Sequence, residues 1–295
     1  MVRLGLCCKF QEEEIRFYTA AAGHTLRLSS AQRKIKISHL CLQNALSLLE
    51  AIEYCGRNNI GSFRINSQIL PLKTHPDLEY EVDKLADGKE IRQVFSMCRQ
   101  KAQAFKVRLT FHPDQFILLS SPDLGITKRS VLELDYQAQV SEWVGADVIN
   151  IHAGGVYGDK PAALGRVARA LDKLKKRIRD RLTFENDDRS YSPADLLPFC
   201  RRHAVPLVYD VHHHRCLPDG LSVEEATSRA LKTWDREPLF HISSPREGWG
   251  GKNPQWHHDY INIKDFPRCW RGLDITIEVE AKAKELAVKK LWGQL

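Results

Sequence analysis

The stretch that decides the fold runs from Asp147 to Asp210. It opens with Asp147-Val148-Ile149-Asn150-Ile151-His152, an apolar run with charge only at its ends. An amphipathic segment follows over residues 162–179. Then come Leu182-Thr183-Phe184-Glu185, a second amphipathic segment over 193–203, and Pro206-Leu207-Val208-Tyr209-Asp210. Short apolar runs suit parallel strands covered on both faces, and the helical stripes between them suit the crossovers that parallel strands require. Ser192-Pro193 supplies an N-cap residue followed by Pro at the first helical position.

The same alternation continues in both directions. Further β-like runs lie at 3–7, 62–66, 107–112, 239–243 and 274–279. Helical stripes lie at 39–57, 89–105, 130–144, 223–231 and 281–292, with Ser222 and Glu225 forming a capping box ahead of the fourth. Eight strands alternating with about eight helices predict one (β/α)8 TIM barrel, an α/β fold, as a single domain over residues 1–295. An open doubly wound sheet would need a Gly-rich phosphate turn after an early strand. The only Gly-Gly pairs are Gly154-Gly155 and Gly250-Gly251, both too late in the chain.

Composition narrows the class. A hydrophobic content of 43% with 27% charged residues excludes a disordered or fibrous chain. No apolar run approaches the roughly 20 residues needed to cross a membrane. Met1-Val2-Arg3-Leu4-Gly5-Leu6 turns polar too soon for a signal peptide. The eight cysteines include no Cys-x-x-Cys pair and read as free thiols, so an intracellular, cytoplasmic protein is expected. The net charge of +7 permits a nucleic-acid partner without requiring one.

The ends of the predicted strands carry metal-ligand residue types. Strand three ends at His112, strand four at His152, strand five at Glu185 and strand six at Asp210, with His213 three residues on. Strand seven contains His241, and strand eight runs into Glu280. His75 and His257 follow strands two and seven. In a barrel these ends meet on one face. Any one such histidine is more often an ordinary polar residue than a ligand; their joint placement on successive strands points to a metal site. Six His and three carboxylates exceed what one ion takes, so two or three divalent ions sharing a bridging carboxylate are expected. Such clusters polarise a phosphodiester, acidify bound water and stabilise the leaving oxygen. Within His212-His213-His214, strand-like alternation would let one or two rings face the pocket, and the spacing from Asp210 favours His213.

These motifs, taken in order, resemble the UV damage endonucleases, whose barrel is related to that of endonuclease IV. The resemblance covers nearly the whole chain. It rests on Arg3-Leu4-Gly5, Thr25-Leu26-Arg27-Leu28, Phe63-Arg64-Ile65, Pro71 with His75-Pro76, His112-Pro113-Asp114-Gln115, His152-Ala153-Gly154-Gly155, Glu185-Asn186-Asp187, Asp210 with His213-His214, His241, Ser243-Ser244, His257 with Asp259-Tyr260, and Ile277 with Glu280-Ala281-Lys282. It implies a metal-dependent endonuclease that nicks double-stranded DNA on the 5′ side of UV photoproducts and related lesions, leaving 3′-hydroxyl and 5′-phosphate ends. It implies His75, His112, His152, Glu185, Asp210, His213, His241, His257 and Glu280 as ligands or their close neighbours. Among them Glu185, Glu280 and His241 are the catalytic candidates. Manganese is the expected metal, with zinc, magnesium or cobalt as alternatives. Gln115 and Phe116 are implied to probe bases at the lesion, through an amide that bonds base edges and a ring that fills a gap in the stack.

Three departures from the family stand out. Phe116 lacks the hydroxyl of the usual Tyr. Leu6 and Phe10 replace Tyr and Asn. Leu239 stands where a modifiable Lys is common, and the alternation of strand side chains places it in the interior one layer below His241. That leaves the third ion in doubt.

Phosphate contacts supply most DNA affinity, so a basic rim is expected from Lys9, Arg27, Arg189, Arg246 and Lys252. The denser run at 173–181 immediately precedes strand five and belongs to the opposite face. Trp143, Trp234, Trp270 and Trp292 read as packing residues, and Cys7 and Cys8 as core residues. No obligate protein partner is expected. A metal-dependent sugar isomerase or epimerase on a related barrel is the competing enzyme, and a metal-holding nucleic-acid-binding module the competing non-enzyme. Neither accounts for both the base-probing pair and the histidine excess.

Overall fold

Eight strands close on one another in chain order. The computed structural model describes residues 2–295. Its strands are β1 (Arg3–Cys7), β2 (Ser62–Ile65), β3 (Arg108–Phe111), β4 (Val148–His152), β5 (Leu182–Glu185), β6 (Leu207–Asp210), β7 (Leu239–Ile242) and β8 (Thr276–Val279). All neighbours are parallel, and β8 pairs with β1 to complete the barrel. Around it run α1 (Ala22–Leu26), α2 (Ser30–Arg57), α3 (Gly88–Phe105), α4 (Leu124–Val144), α5 (Lys160–Leu171), α6 (Lys176–Arg179), α7 (Pro193–His203), α8 (Val211–Cys216), α9 (Val223–Leu231) and α10 (Lys284–Trp292). The predicted barrel and the strand positions are therefore borne out. No helix among the described residues is long and apolar enough to cross a membrane.

Helix boundaries differ where an apolar stripe is a poor guide. The stripe read at 39–57 covers only part of α2, which starts at Ser30, after the capping box of Ser29 and Gln32. Its first turns are solvated and carry no stripe to read. In the same way α4 starts at Leu124 because Asp123 accepts hydrogen bonds from the amides of Gly125 and Ile126. The single helix expected over 162–179 divides into α5 and α6, with Leu174 buried in the turn between them. At the far end, Glu280 stays outside α10 because its amide bonds to the carbonyl of Ile242, extending the sheet. The Ser222–Glu225 box is present as predicted.

The largest correction concerns the triple histidine. Residues 211–216 form the helix α8, capped by Asp210, whose side chain accepts from the amide of His213. Helical spacing separates the three rings by about 100° each, rather than alternating them between two sides. His213 faces the barrel mouth. His212 packs against Trp249 and His257, and His214 bonds Tyr209 and Asp219.

The barrel interior is graded. Val148, Val208 and Leu239 make a small apolar group low in the barrel, against Trp234. Leu239 is thus interior, as the alternation predicted. Above it come buried polar residues: Ser62, Thr110, Asn150, Thr183 and Glu278. The outer faces of the same strands carry Leu4, Leu6, Phe63, Ile149, Phe184 and Phe240 into the packing under the helices. Phe10 joins this packing, its ring 5.9 Å from that of Phe63 and 5.2 Å from that of Tyr54. The Leu6 and Phe10 replacements therefore sit in the core and away from the barrel mouth.

The basic run at 173–181 is tied up at the opposite end. Arg177 and Lys175 both pair with Asp135, and Lys176 pairs with Asp180. Trp143 packs beneath the Arg92 guanidinium and Trp270 is fully buried, while Trp292 is partly exposed.

The loop after β1 is fastened by one carboxylate. Glu285 in α10 has no solvent exposure, and its two oxygens accept the amides of Gln11 and Glu12 at 2.7 Å each. Replacing it with Ala leaves two backbone donors unmatched. Glu285→Ala is expected to lower unfolding stability by about 1.5–3 kcal/mol in a urea titration. Limited proteolysis of the variant should cut first within residues 9–20.

Candidate metal centre at the barrel mouth

The strand ends converge on Glu185. Its side chain is fully buried at the end of β5. His112 Nε2 lies 2.9 Å from Glu185 Oε2, and Asn150 donates to the same oxygen. Around Oε1 stand His241 Nδ1 at 3.2 Å and His213 Nδ1 at 3.3 Å. Asp210 Oδ2 is 3.6 Å from His213 Nδ1, and Glu280 Oε1 is 3.4 Å from His241 Nδ1. The His112 ring centroid lies 5.2 Å from that of His152 and 5.8 Å from that of His241.

Three ligand groups result, each with donor atoms within 4.8 Å of one another: His112, His152 and Glu185; His112, His241 and Glu280; Glu185, Asp210 and His213. His112 and Glu185 each belong to two of them. Four buried atoms in these groups have no hydrogen-bond partner: His152 Nδ1, Glu185 Oε1, Asp210 Oδ2 and His241 Nδ1. Buried polar atoms are almost always satisfied, so four orphans aimed into one space mark a place that a cation fits. Imidazole nitrogens mixed with carboxylate oxygens suit manganese or zinc.

The electrostatics agree with that fit. Burial alone would raise the Glu185 carboxyl pKa, but His241, together with hydrogen bonds from His112 and His213, outweighs it and holds it well below the usual carboxylate range. Glu280 is likewise held low, against its burial, by Arg64, His241 and His257. Burial lowers the His152 pKa and keeps that ring neutral, the form that ligates. His241 is opposed by burial yet pushed up to about 10, chiefly by Glu185. In the metal-free protein a second proton on its ring then balances the surrounding carboxylates, and a bound cation would take that proton's place.

Two expected ligands stand apart. His257 Nδ1 lies 3.8 Å from Glu280 Oε2 at the edge of the cluster. His75 joins none of the three groups; its Nδ1 accepts the amide of Asp77, two residues on, in the loop after β2.

Beside the cluster opens a cleft of about 790 Å³, lined by Lys9, Arg64, Arg246, Lys282, Lys284, Trp256, His257 and Glu280. Lys9 and Arg246 are therefore where a basic rim was expected. Arg27 instead folds back onto the carbonyl of Gly23, Arg189 stays beside Asp188, and Lys252 lies exposed on the loop between β7 and β8. Gln115 and Phe116 sit on the loop after β3, and Phe116, four residues after the candidate ligand His112, is 71% exposed, an apolar group held in water. Cys7 and Cys8 also line the cleft, but burial raises both thiol pKa values and keeps them unreactive.

Sequence reasoning missed Asn150, Glu278 and Lys284, quoted Arg64 and Lys282 without a role, and left Trp256 unassigned. Strand alternation was the available signal for two of them. Asn150 and Glu278 precede His152 and Glu280 by two residues and so share their inward face.

Comparison with known proteins places the chain in a family. The family model of UV-endonuclease UvdE matches residues 2–295. A UV DNA damage endonuclease of Bacillus velezensis is 33% identical over 282 residues, covering 91% of this chain and 85% of its own. The crystal structure of SacUVDE superposes with a TM-score of 0.87 at 27% identity, covering 100% of this chain and 98% of that one. Endonuclease IV from Thermus thermophilus shares the fold, with a TM-score of 0.64 at 15% identity over 99% of this chain and 97% of its own. With a family model matching residues 2–295 and a relative 33% identical over 91% of its length, the chain belongs to the UV-endonuclease UvdE family.

Proposed function

We propose that this protein is a metal-dependent DNA repair endonuclease that nicks the strand 5′ to UV photoproducts and related lesions, leaving 3′-hydroxyl and 5′-phosphate ends. The observation that carries the reading is the set of four unpartnered ligand atoms around Glu185 at the mouth of the barrel. Family membership supplies the substrate class.

His112, His152, Glu185, Asp210, His213, His241 and Glu280 are the residues that would hold two or three divalent ions, manganese being the expected metal. His257 is an outer neighbour through Glu280. When bound, the ions polarise the phosphodiester, activate the attacking water and neutralise the leaving oxygen. The protein's own residues do the rest. Glu185 faces two of the ligand groups through separate oxygens, and Asn150 fixes one of those oxygens. Lys9, Arg246, Lys282 and Lys284 bind backbone phosphates and orient the strand across the cluster. Phe116 enters the helix at the lesion, where stacking is already weakened, and Gln115 reads the exposed base edges. Trp256, 49% exposed among those basic residues, offers a second ring for a base unstacked on the other side of the cluster. Incubation with manganese and UV-irradiated plasmid, beside an undamaged control, tests the assignment: nicking of the irradiated plasmid alone is expected. Equal nicking of both plasmids, or nicking of neither, would overturn it.

Glu185→Gln should leave the fold intact, lower the bound metal and reduce nicking of irradiated plasmid at least 100-fold. A variant that nicks at the parental rate would remove Glu185 from the centre. Phe116→Ala should weaken binding to lesion-containing duplex by about 1–3 kcal/mol, roughly 5- to 150-fold. Its metal content should stay unchanged. Because Leu239 packs against Val148 and Val208 and offers no amine for carbon dioxide to modify, bicarbonate is expected to leave activity unaltered. For the same reason at least one ion should be lost on mild dialysis. Metal counting before and after dialysis, with and without bicarbonate, checks both points.

A further inference from the structure

Directly beneath the ligand layer lies a charged pair that the reading above does not use. Glu278 on β8 is 1% exposed and faces the barrel interior. The space for it is made by Gly5 on β1: a Cβ there would lie 3.3 Å from Glu278 Cγ and 2.9 Å from Ser62 Cβ. Thr110 donates its hydroxyl to Glu278 Oε1. The Arg64 guanidinium bonds Glu278 Oε2 through Nε at 2.5 Å and reaches Glu280 Oε1 at 2.7 Å through Nη2. His241 Nε2 is 3.1 Å from the same Glu278 Oε2.

His241 therefore has two distinct sides. Its Nδ1 faces Glu185 and Glu280, without a hydrogen-bond partner, in the space where the ligand groups converge. Its Nε2 faces Glu278. Arg64 Nη2 also lies 3.1 Å from Nε2, but an arginine donates only, and both groups converge on one carboxylate oxygen. The arrangement that satisfies all three keeps a hydrogen of His241 on Nε2, donated to Glu278, and leaves Nδ1 as the atom that would face a bound cation. Ligating imidazoles characteristically hand their second N–H to a carboxylate in this way.

We propose that Glu278, held by Arg64 and Thr110, is a positioning residue that sets the tautomer and ring orientation of His241 for metal ligation. Arg64 is a fixed cation that balances Glu278 and steadies Glu280 from below. Leu239, one inward position lower and in register with Thr276, contributes no charge to the interior, so Glu278 is the anion beneath the cluster. The inference rests on the metal-dependent reading, and it reaches residues which touch neither metal nor substrate in that reading.

The test is a titration of the metal-free protein with manganese alone, read by equilibrium dialysis, on the parent, Glu278→Gln and the double variant Arg64→Met with Glu278→Leu. The double variant removes both buried charges together and so avoids stranding one of them. Circular dichroism establishes which variants fold, and Glu278→Gln decides alone if the double variant does not. The expected result is a manganese dissociation constant raised about 10- to 100-fold, with nicking at saturating manganese restored to near the parental rate. Unchanged manganese affinity in a folded variant would overturn the proposal. So would weakened nicking that excess manganese does not restore, and so would failure of the parent to bind manganese. If the parent binds manganese but does not nick irradiated plasmid, the endonuclease reading fails, and the titration alone still decides the role of Glu278.

Discussion

A fully buried carboxylate is tolerable only among groups that keep it ionised, and Glu185 is the point on which this barrel mouth depends. Its oxygens lie within 3.3 Å of His112, His213 and His241, and Asn150 holds one of them. These neighbours come from β4, β7, α8 and the loop after β3. Only a closed barrel brings such distant parts of the chain onto one atom pair. The cost of burying the anion is thereby offset by imidazoles that are themselves donors for a cation. The same arrangement leaves four donor atoms unmatched, so stability and metal affinity are two aspects of one geometry.

The interior is layered by charge. The low apolar group of Val148, Val208 and Leu239 closes the barrel. The Arg64–Glu278 pair and the side chains of Thr110, Asn150 and Thr183 form a hydrogen-bonded middle. Glu278 is held down to about 2 because Arg64 and His241 outweigh the effect of its burial. Above this layer stand the ligand groups, and above them the basic cleft and the exposed Phe116 and Trp256. Polarity thus rises from floor to mouth, along the direction from which a phosphodiester would approach.

The departures from the family acquire different weights in three dimensions. Leu6 and Phe10 are absorbed by packing beneath the helices and do not border the cleft. Leu239 belongs to the barrel floor, where it withdraws an anionic group from beneath the cluster. Phe116 keeps its ring exposed at the rim, so the missing hydroxyl alters what the ring can bond and leaves what it can stack on intact.

The barrel was legible in the sequence because strand number and strand ends are local properties. Apolar runs of four to six residues and the alternation of their side chains are readable without knowing what lies opposite. Legible too was that His112, His152, Glu185, Asp210, His241 and Glu280 share one face, since each lies at or beside the end of a strand of known direction. Which of them touch was not. His75 and His257, in the longer segments after β2 and β7, were expected beside them, yet His75 accepts the amide of Asp77 and His257 lies 3.8 Å from Glu280 at the edge of the cluster. Nor could a linear pattern show that 211–216 is a helix, which is too short to display a period. The partnership of Arg64 with Glu278 was equally hidden, for the two are 214 positions apart and meet only because β8 returns to β1 beside β2. Periodicity assigns a side chain to a face; only closure of the sheet sets the distance between two faces, and ligation and hydrogen bonding depend on that distance.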